Sequence, residues 1–134
     1  MPDFHHVPLA DFVVMREDEG QVLDLKRLME SAWEVERELE ERTDRVLIDC
    51  RGVAKDYSFA DAYRLAQAFR DAPGFGTGHV AIVGDYDEEF EKAQALEFHF
   101  REAGSDVRAF LDYDEAATWL TGEHSGPLEP DGIL

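Results

Sequence analysis

Apolar positions along the chain come in two patterns, short runs without alternation and longer stretches with helical spacing, and their order predicts the architecture. Phe12, Val13, Val14 and Met15 form a β-branched and aromatic run within residues 9–16, closed by the acidic turn Glu17-Asp18-Glu19-Gly20. This run predicts a first strand at a sheet edge, preceded by a loose lead-in over residues 1–8. Over residues 24–42 the spacing becomes helical: Leu25, Leu28, Ala32, Val35 and Leu39 share one face, and Glu30, Glu34, Glu38 and Glu41 fall on a solvated one. Asp24 stands where an N-cap belongs. Met29 and Trp33 lie on the margin of the stripe, positions open to the core or to a partner surface.

Val46, Leu47 and Ile48 run without alternation into Asp49, as expected of a parallel strand covered on both faces. The chain then turns through Gly52-Val53 and residues 54–57 to Ser58, which caps a helix over residues 59–71 with Phe59, Ala62, Leu65, Ala66 and Phe69 on one side. A glycine-rich turn through Gly74, Gly76 and Gly78 leads to a second buried strand, His79-Val80-Ala81-Ile82-Val83-Gly84, and a helix over residues 88–103. Its inward stripe is Phe90, Ala93, Leu96, Phe100 and Ala103, and Phe98 projects about 180° from the centre of that stripe. Gly104 stands at the C′ position. Residues 106–111 predict a last strand with unlike faces, residues 114–120 a short helix, and residues 122–134, rich in Pro, Gly and acids, a mobile tail. Strand and helix alternate four times, which predicts a single α/β domain over residues 9–121 with a mostly parallel sheet of four or five strands and about four helices. Ligands of such sheets meet the carboxyl ends of the strands.

Charge narrows the function classes. The 134 residues carry 31 acids and 13 bases, a net charge of -18. A chain so acidic lacks the basic face that nucleic acid or an anionic membrane surface requires. Ten of the bases are arginine, beside Lys26, Lys55 and Lys92 only, and a low-lysine, acid-rich surface would suit a cytoplasm of high ionic strength. Cys50 is the sole cysteine, which leaves no internal disulfide and fits a reducing, cytoplasmic setting. No window approaches the ~18 apolar residues of a spanning helix, so no integral membrane segment is expected.

VLIDCRGV, a spaced loop, Ser58 before a helix, HVAIVGD, a long helix ending in Ala-Gly, and VRAFLDYDEAATWL together resemble the STAS/SEC14-type, SpoIIAA-like family of small bacterial proteins across about residues 10–121. The resemblance implies a STAS-type α/β fold with helices packed on a four- or five-stranded sheet, and little chemistry. In the anti-sigma-factor antagonists of that group, a strand ending in Asp-x-x-Gly-Val is followed by Asp-Ser-x-Gly at a helix start, the serine being the phosphoacceptor. Asp49, Gly52, Val53 and Ser58 hold the matching places here. Tyr57 stands where the acidic residue falls, with Asp56 one residue earlier, and Ala60 replaces the glycine.

Ser58 therefore has two readings. As an N-cap it satisfies an orphan backbone N–H; as a phosphoacceptor it would place a phosphate on the free N–H groups and dipole of a helix start, between Asp56 and Asp61. Asp49, Arg51, Gly52, Asp56 and Tyr57 form the expected interaction loop around it, and Phe98 and Trp33 are the candidate partner surface. Asp49, Asp85, Asp87, Asp112 and Asp114 should lie near strand ends and have oxygen chemistry suited to Mg²⁺ or Ca²⁺, but several are also natural N-caps and no metal site is expected. Arg51 suits an ion pair with one of them. The pair His5-His6 lacks a third ligand nearby. No histidine is placed as a base, and Cys50 ends a strand as a small apolar residue, so neither catalysis nor a cofactor is expected. Two functions remain: a non-catalytic module that binds a protein partner or forms a homodimer, and a small carrier holding a lipid-like apolar molecule between sheet and helices.

Overall fold

A computed structural model describes residues 3–7, 12–17, 20–85 and 90–123. Its five-stranded sheet has the order β1-β2-β4-β6-β7, where β1 is Asp3–Val7, β2 Phe12–Arg16, β4 Arg45–Asp49, β6 His79–Val83 and β7 Asp106–Phe110. β2, β4, β6 and β7 are mutually parallel, and β1 runs antiparallel to β2 with Asp3 opposite Arg16 and Val7 opposite Phe12. The N-terminal edge is thus β1, which corrects two expectations: residues 3–7 are a strand rather than a loose lead-in, and β2 is an inner strand. The physical reason lies in FVVM, which lacks alternation just as VLI does in β4; Phe12, Val13, Val14 and Met15 are all buried, so β2 must be covered on both faces. The predicted tail falls almost entirely in residues 124–134, outside the described residues.

Successive side chains of each strand supply opposite faces. Met15, Val46, Val80, Ile82 and Val107 pack under α1 (Leu25–Glu41), α2 (Phe59–Ala68), α3 (Pro73–Thr77) and α4 (Phe90–Glu102) in one apolar cluster. Phe12, Val14, Leu47, Ala81 and Val83 pack on the other side against Ala116, Trp119 and Leu120 from α5 (Tyr113–Thr118) and the π-helical turn Trp119–Glu123. Both faces of the central strands are thereby covered, and the crossovers place α2 and α4 side by side.

The helix ends follow their sequence signals. Asp24 accepts the Arg27 N–H at 2.9 Å to start α1. Gly104, at φ 100°, closes α4: its N–H bonds the Arg101 carbonyl at 3.0 Å and the Ser105 N–H bonds that of Phe100 at 2.8 Å, a Schellman arrangement. α3 replaces the expected glycine-rich turn. Pro73 fills its first position, and Glu36 reaches across from α1 to accept the Gly74 and Phe75 N–H groups, both at 2.8 Å. Glu36 is buried for that reason. Glu38 is buried too, which corrects its placement on a solvated face. A second, two-stranded parallel sheet joins β3 (Val22–Asp24) to β5 (Ala54–Asp56), which the short, half-polar sequences did not predict. It ties the loop after β4 to the entry of α1.

Candidate functional site

Two clusters occupy the end of the sheet where β2, β4 and β6 finish. The first is built on Asp49, whose side chain is 5% exposed and accepts from Arg51 Nε at 2.9 Å, Arg51 Nη2 at 2.8 Å, Arg51 N at 3.2 Å and Arg16 Nε at 3.3 Å. Burial pushes the Asp49 carboxyl up, but the bonds and charge of Arg51, with Arg16, outweigh it and hold it below the ordinary 3.8. The same carboxylate keeps Arg51 more firmly protonated than usual. The Arg51 guanidinium also lies over the Tyr113 ring, 5.4 Å from its centroid. Gly52, at φ 79°, turns the chain so that its N–H meets Asp85 Oδ2 at 2.7 Å. An open crevice beside this cluster is lined by Arg16, Arg51, Tyr113 and the carboxylates of Asp112, Asp114 and Glu115.

This arrangement is an ion-pair lock on the outlet loop. Arg51 pairs with Asp49 as its position suggested, and Arg16, not singled out in the sequence, is the second partner; the parallel register that sets Arg16 opposite Asp49 brings it there. The strand-end carboxylates do not converge on a point. Asp49 faces arginines, Asp85 faces the Gly52 amide, Asp112 caps α5 through the Asp114 N–H, and Asp87 lies outside the described residues. Among the described residues no three His, Cys, Asp or Glu side chains group as metal ligands. Cys50 is buried behind the lock, its thiol pushed up to about 12 by desolvation.

The second cluster is the Ser58 turn. Ser58 Oγ accepts the Asp61 N–H at 3.0 Å, and the Ser58 N–H donates to Asp61 Oδ2 at 3.0 Å, a complete capping box. Asp61, read in the sequence only as a charge flanking the serine, fixes it from three positions on. Asp56 is exposed, whereas Tyr57 is buried, with the Lys92 ammonium 5.9 Å from its ring centroid. Tyr57 and Asp49 therefore support the loop from beneath; Arg51, Gly52, Asp56 and Ser58 form its outer surface. Lys92 Nζ donates to the Lys55 carbonyl at 2.7 Å and binds α4 to this loop.

From Ser58 an aromatic surface extends over α2 and α4. Phe59 is 54% exposed, Tyr63 51% and Phe98 59%. Tyr63 meets His99 edge to face at 5.4 Å, and His99 meets Phe98 at 5.1 Å, so the rings bridge the two helices without a break. Phe59 lies one turn before Tyr63. Sequence spacing found Phe98; Phe59, placed on the same face as Ala62, Leu65 and Phe69, is exposed instead because it stands at the first position of its helix, and Tyr63 was not singled out. Trp33 is also exposed, at the other end of α2, where it packs edge-on against buried Phe69 at 4.8 Å.

Between sheet and helices lies a small apolar cavity of about 50 Å³, bordered by Met15, Leu65, Ile82, Leu96 and Phe100 among others. Among the described residues no helix is long and apolar enough to cross a membrane.

No protein-family model matches the sequence, and no curated protein matches it. A structural comparison finds the crystal structure of an uncharacterised protein of the DUF3478 family with a SpoIIAA-like fold, from Shewanella loihica PV-4. The two superpose with a TM-score of 0.52 over 90% of this chain and 92% of the other, at 15% identity. The correspondence runs along nearly the whole of both chains, and the protein has a SpoIIAA-like fold.

Proposed function

We propose that the chain is a non-catalytic interaction module of STAS type that docks a protein partner through the aromatic surface of α2 and α4, beside the Ser58 turn. One observation carries this reading: Phe59, Tyr63 and Phe98 are each more than half exposed, and His99 joins Tyr63 to Phe98 across the two helices. Contiguous exposed apolar surface of this kind marks interaction sites, and aromatic side chains are the commonest anchors of interfaces. The small size of the apolar cavity supports docking over carriage of a lipid-like molecule, since about 50 Å³ falls well short of the roughly 300–1,000 Å³ of ligand pockets.

Ser58 serves this module first as a helix cap. The residue is exposed at the rim of the aromatic surface, where added charge would alter docking, but the Asp61 carboxylate already occupies its backbone N–H and would oppose a phosphate.

Affinity capture from an extract of the source cells tests the reading. A protein retained by the wild-type chain and by Glu40→Gln on α1, but not by Phe59→Ser/Tyr63→Ser/Phe98→Ser of unchanged circular dichroism, is expected. Equal retention by all three chains refutes it. If Ser58→Ala and Ser58→Glu both leave retention unchanged, the serine has no regulatory part.

A further inference from the structure

We infer that the occupant of the aromatic surface is a second copy of this chain, packed α2 on α4 about a two-fold axis in an association that salt strengthens. The inference rests on the docking reading above and adds the identity of the partner.

Charge distribution leaves this face open to a like partner. Two copies of net charge -18 repel each other, and such chains can meet only where the local surface is close to neutral. α1 holds six acids against three bases, but α2 holds only Asp61 and Arg64, and α4 three acids against two bases. Among the described residues, the helices that carry the aromatic rings are thus the least charged long helices.

The residual charges are also self-complementary. Arg64, 70% exposed and 3.8 Å from Asp61 of its own helix, is the outward charge of α2, while Glu91 and Glu102 are exposed on α4 with Arg101, which lies 4.0 Å from Glu97. In a two-fold pair the same patch serves both copies, so α2 of one copy lies on α4 of the other and each Arg64 faces the opposite carboxylates. Shape agrees with this. Phe98 projects beside a shallow, open surface edged by Gln94, Glu97, Arg101 and Glu102, and a second shallow hollow separates Phe59 from Lys92 at the Ser58 turn. Each copy offers projecting rings and places to receive them.

The area available sets the strength. Three rings of roughly 150–250 Å² each, about half exposed, give on the order of 300 Å² per copy, against roughly 800 Å² per partner in a standard interface. The rings form the centre of a modest interface whose rim is charged. Long-range repulsion between the acidic bodies opposes it at low salt and is screened over a few ångströms at high salt.

Sedimentation equilibrium of the full chain tests this between about 0.1 M and about 2 M KCl. The expected result is a monomer–dimer equilibrium with a dissociation constant at least roughly tenfold lower at the higher salt. Phe98→Asp should raise that constant more than tenfold, and Arg64→Glu should do the same while Arg64→Glu/Glu102→Arg restores it. A monomer at every salt and concentration overturns the inference, as does a dimer indifferent to Phe98→Asp. If the chain is monomeric yet the triple aromatic variant still loses a captured protein, only the second copy is refuted. If neither assay responds to the aromatic variants, the docking reading falls as well.

Discussion

Replacing Asp49 by Asn removes the charge around which the outlet loop of β4 is locked. The carboxylate accepts from Arg51 Nε, Nη2 and N and from Arg16 Nε, and bonds to a charged group contribute about 1.5–3 kcal/mol apiece when buried. The two arginine side chains are 45% and 50% exposed and return to water when released, which cuts the loss well below that sum. The expected destabilisation of Asp49→Asn is about 2 kcal/mol at neutral pH, a fall in Tm of roughly 8 °C for a domain of this length. The sign of the pH dependence is fixed as well. The folded-state carboxyl lies below its ordinary 3.8, so its contribution is complete above that value and is lost as pH falls through the lowered one. Urea unfolding of both chains from about pH 7 downward should show the variant's deficit constant and then shrinking at the acid end. A deficit under about 0.5 kcal/mol at pH 7, or one that grows on acidification, would refute this account of the lock.

Other features give separate expectations. Glu36→Gln removes charge from the cap of α3 and sets an amide N–H₂ against a backbone N–H, which should cost about 2–3 kcal/mol in urea unfolding; a neutral result would mean that the buried cap is dispensable. Gly74→Ala would bring a Cβ to 2.8 Å from both Glu36 Oε1 and Leu39 Cβ and 2.9 Å from the Glu36 carbonyl, so a comparable loss is expected, and an unchanged Tm would contradict the close approach of α1 and α3. Ser58→Ala breaks half of the capping box and should cost about 0.5–2 kcal/mol, whereas Ser58→Asp should retain most of the stability. Cys50, with its thiol pushed up to about 12, should react with an aromatic disulfide reagent at neutral pH only as fast as the fold opens; rapid labelling of the native chain would show that the strand end is accessible.

The sheet and its helices were legible because FVVM, VLI and HVAIV lack alternation while the stretches between them carry helical stripes, and the two periods do not mimic each other. The Asp24, Ser58 and Gly104 helix ends were equally readable, since capping is decided by a few neighbouring residues. What could not be read depends on distant partners. DFHHV is too polar to announce a strand and becomes one by hydrogen bonding to β2. Glu36 belongs to a run of glutamates and is buried only because α3 arrives beside it. Arg16 joins Asp49 through the register of two parallel strands, which no local pattern specifies. Phe98 stood out on its helix, but the connection through His99 to Tyr63 required α2 and α4 to lie side by side.

The aromatic surface is tested most directly by hydroxyl-radical footprinting of the chain, dilute and purified in one sample and at high salt and concentration in cell extract in the other. Oxidation of Phe59, Tyr63 and Phe98 should fall several-fold in the second sample while that of Trp33, equally exposed at 57%, stays the same. Equal oxidation of the three α2 and α4 rings in both samples would contradict a docking role for this face.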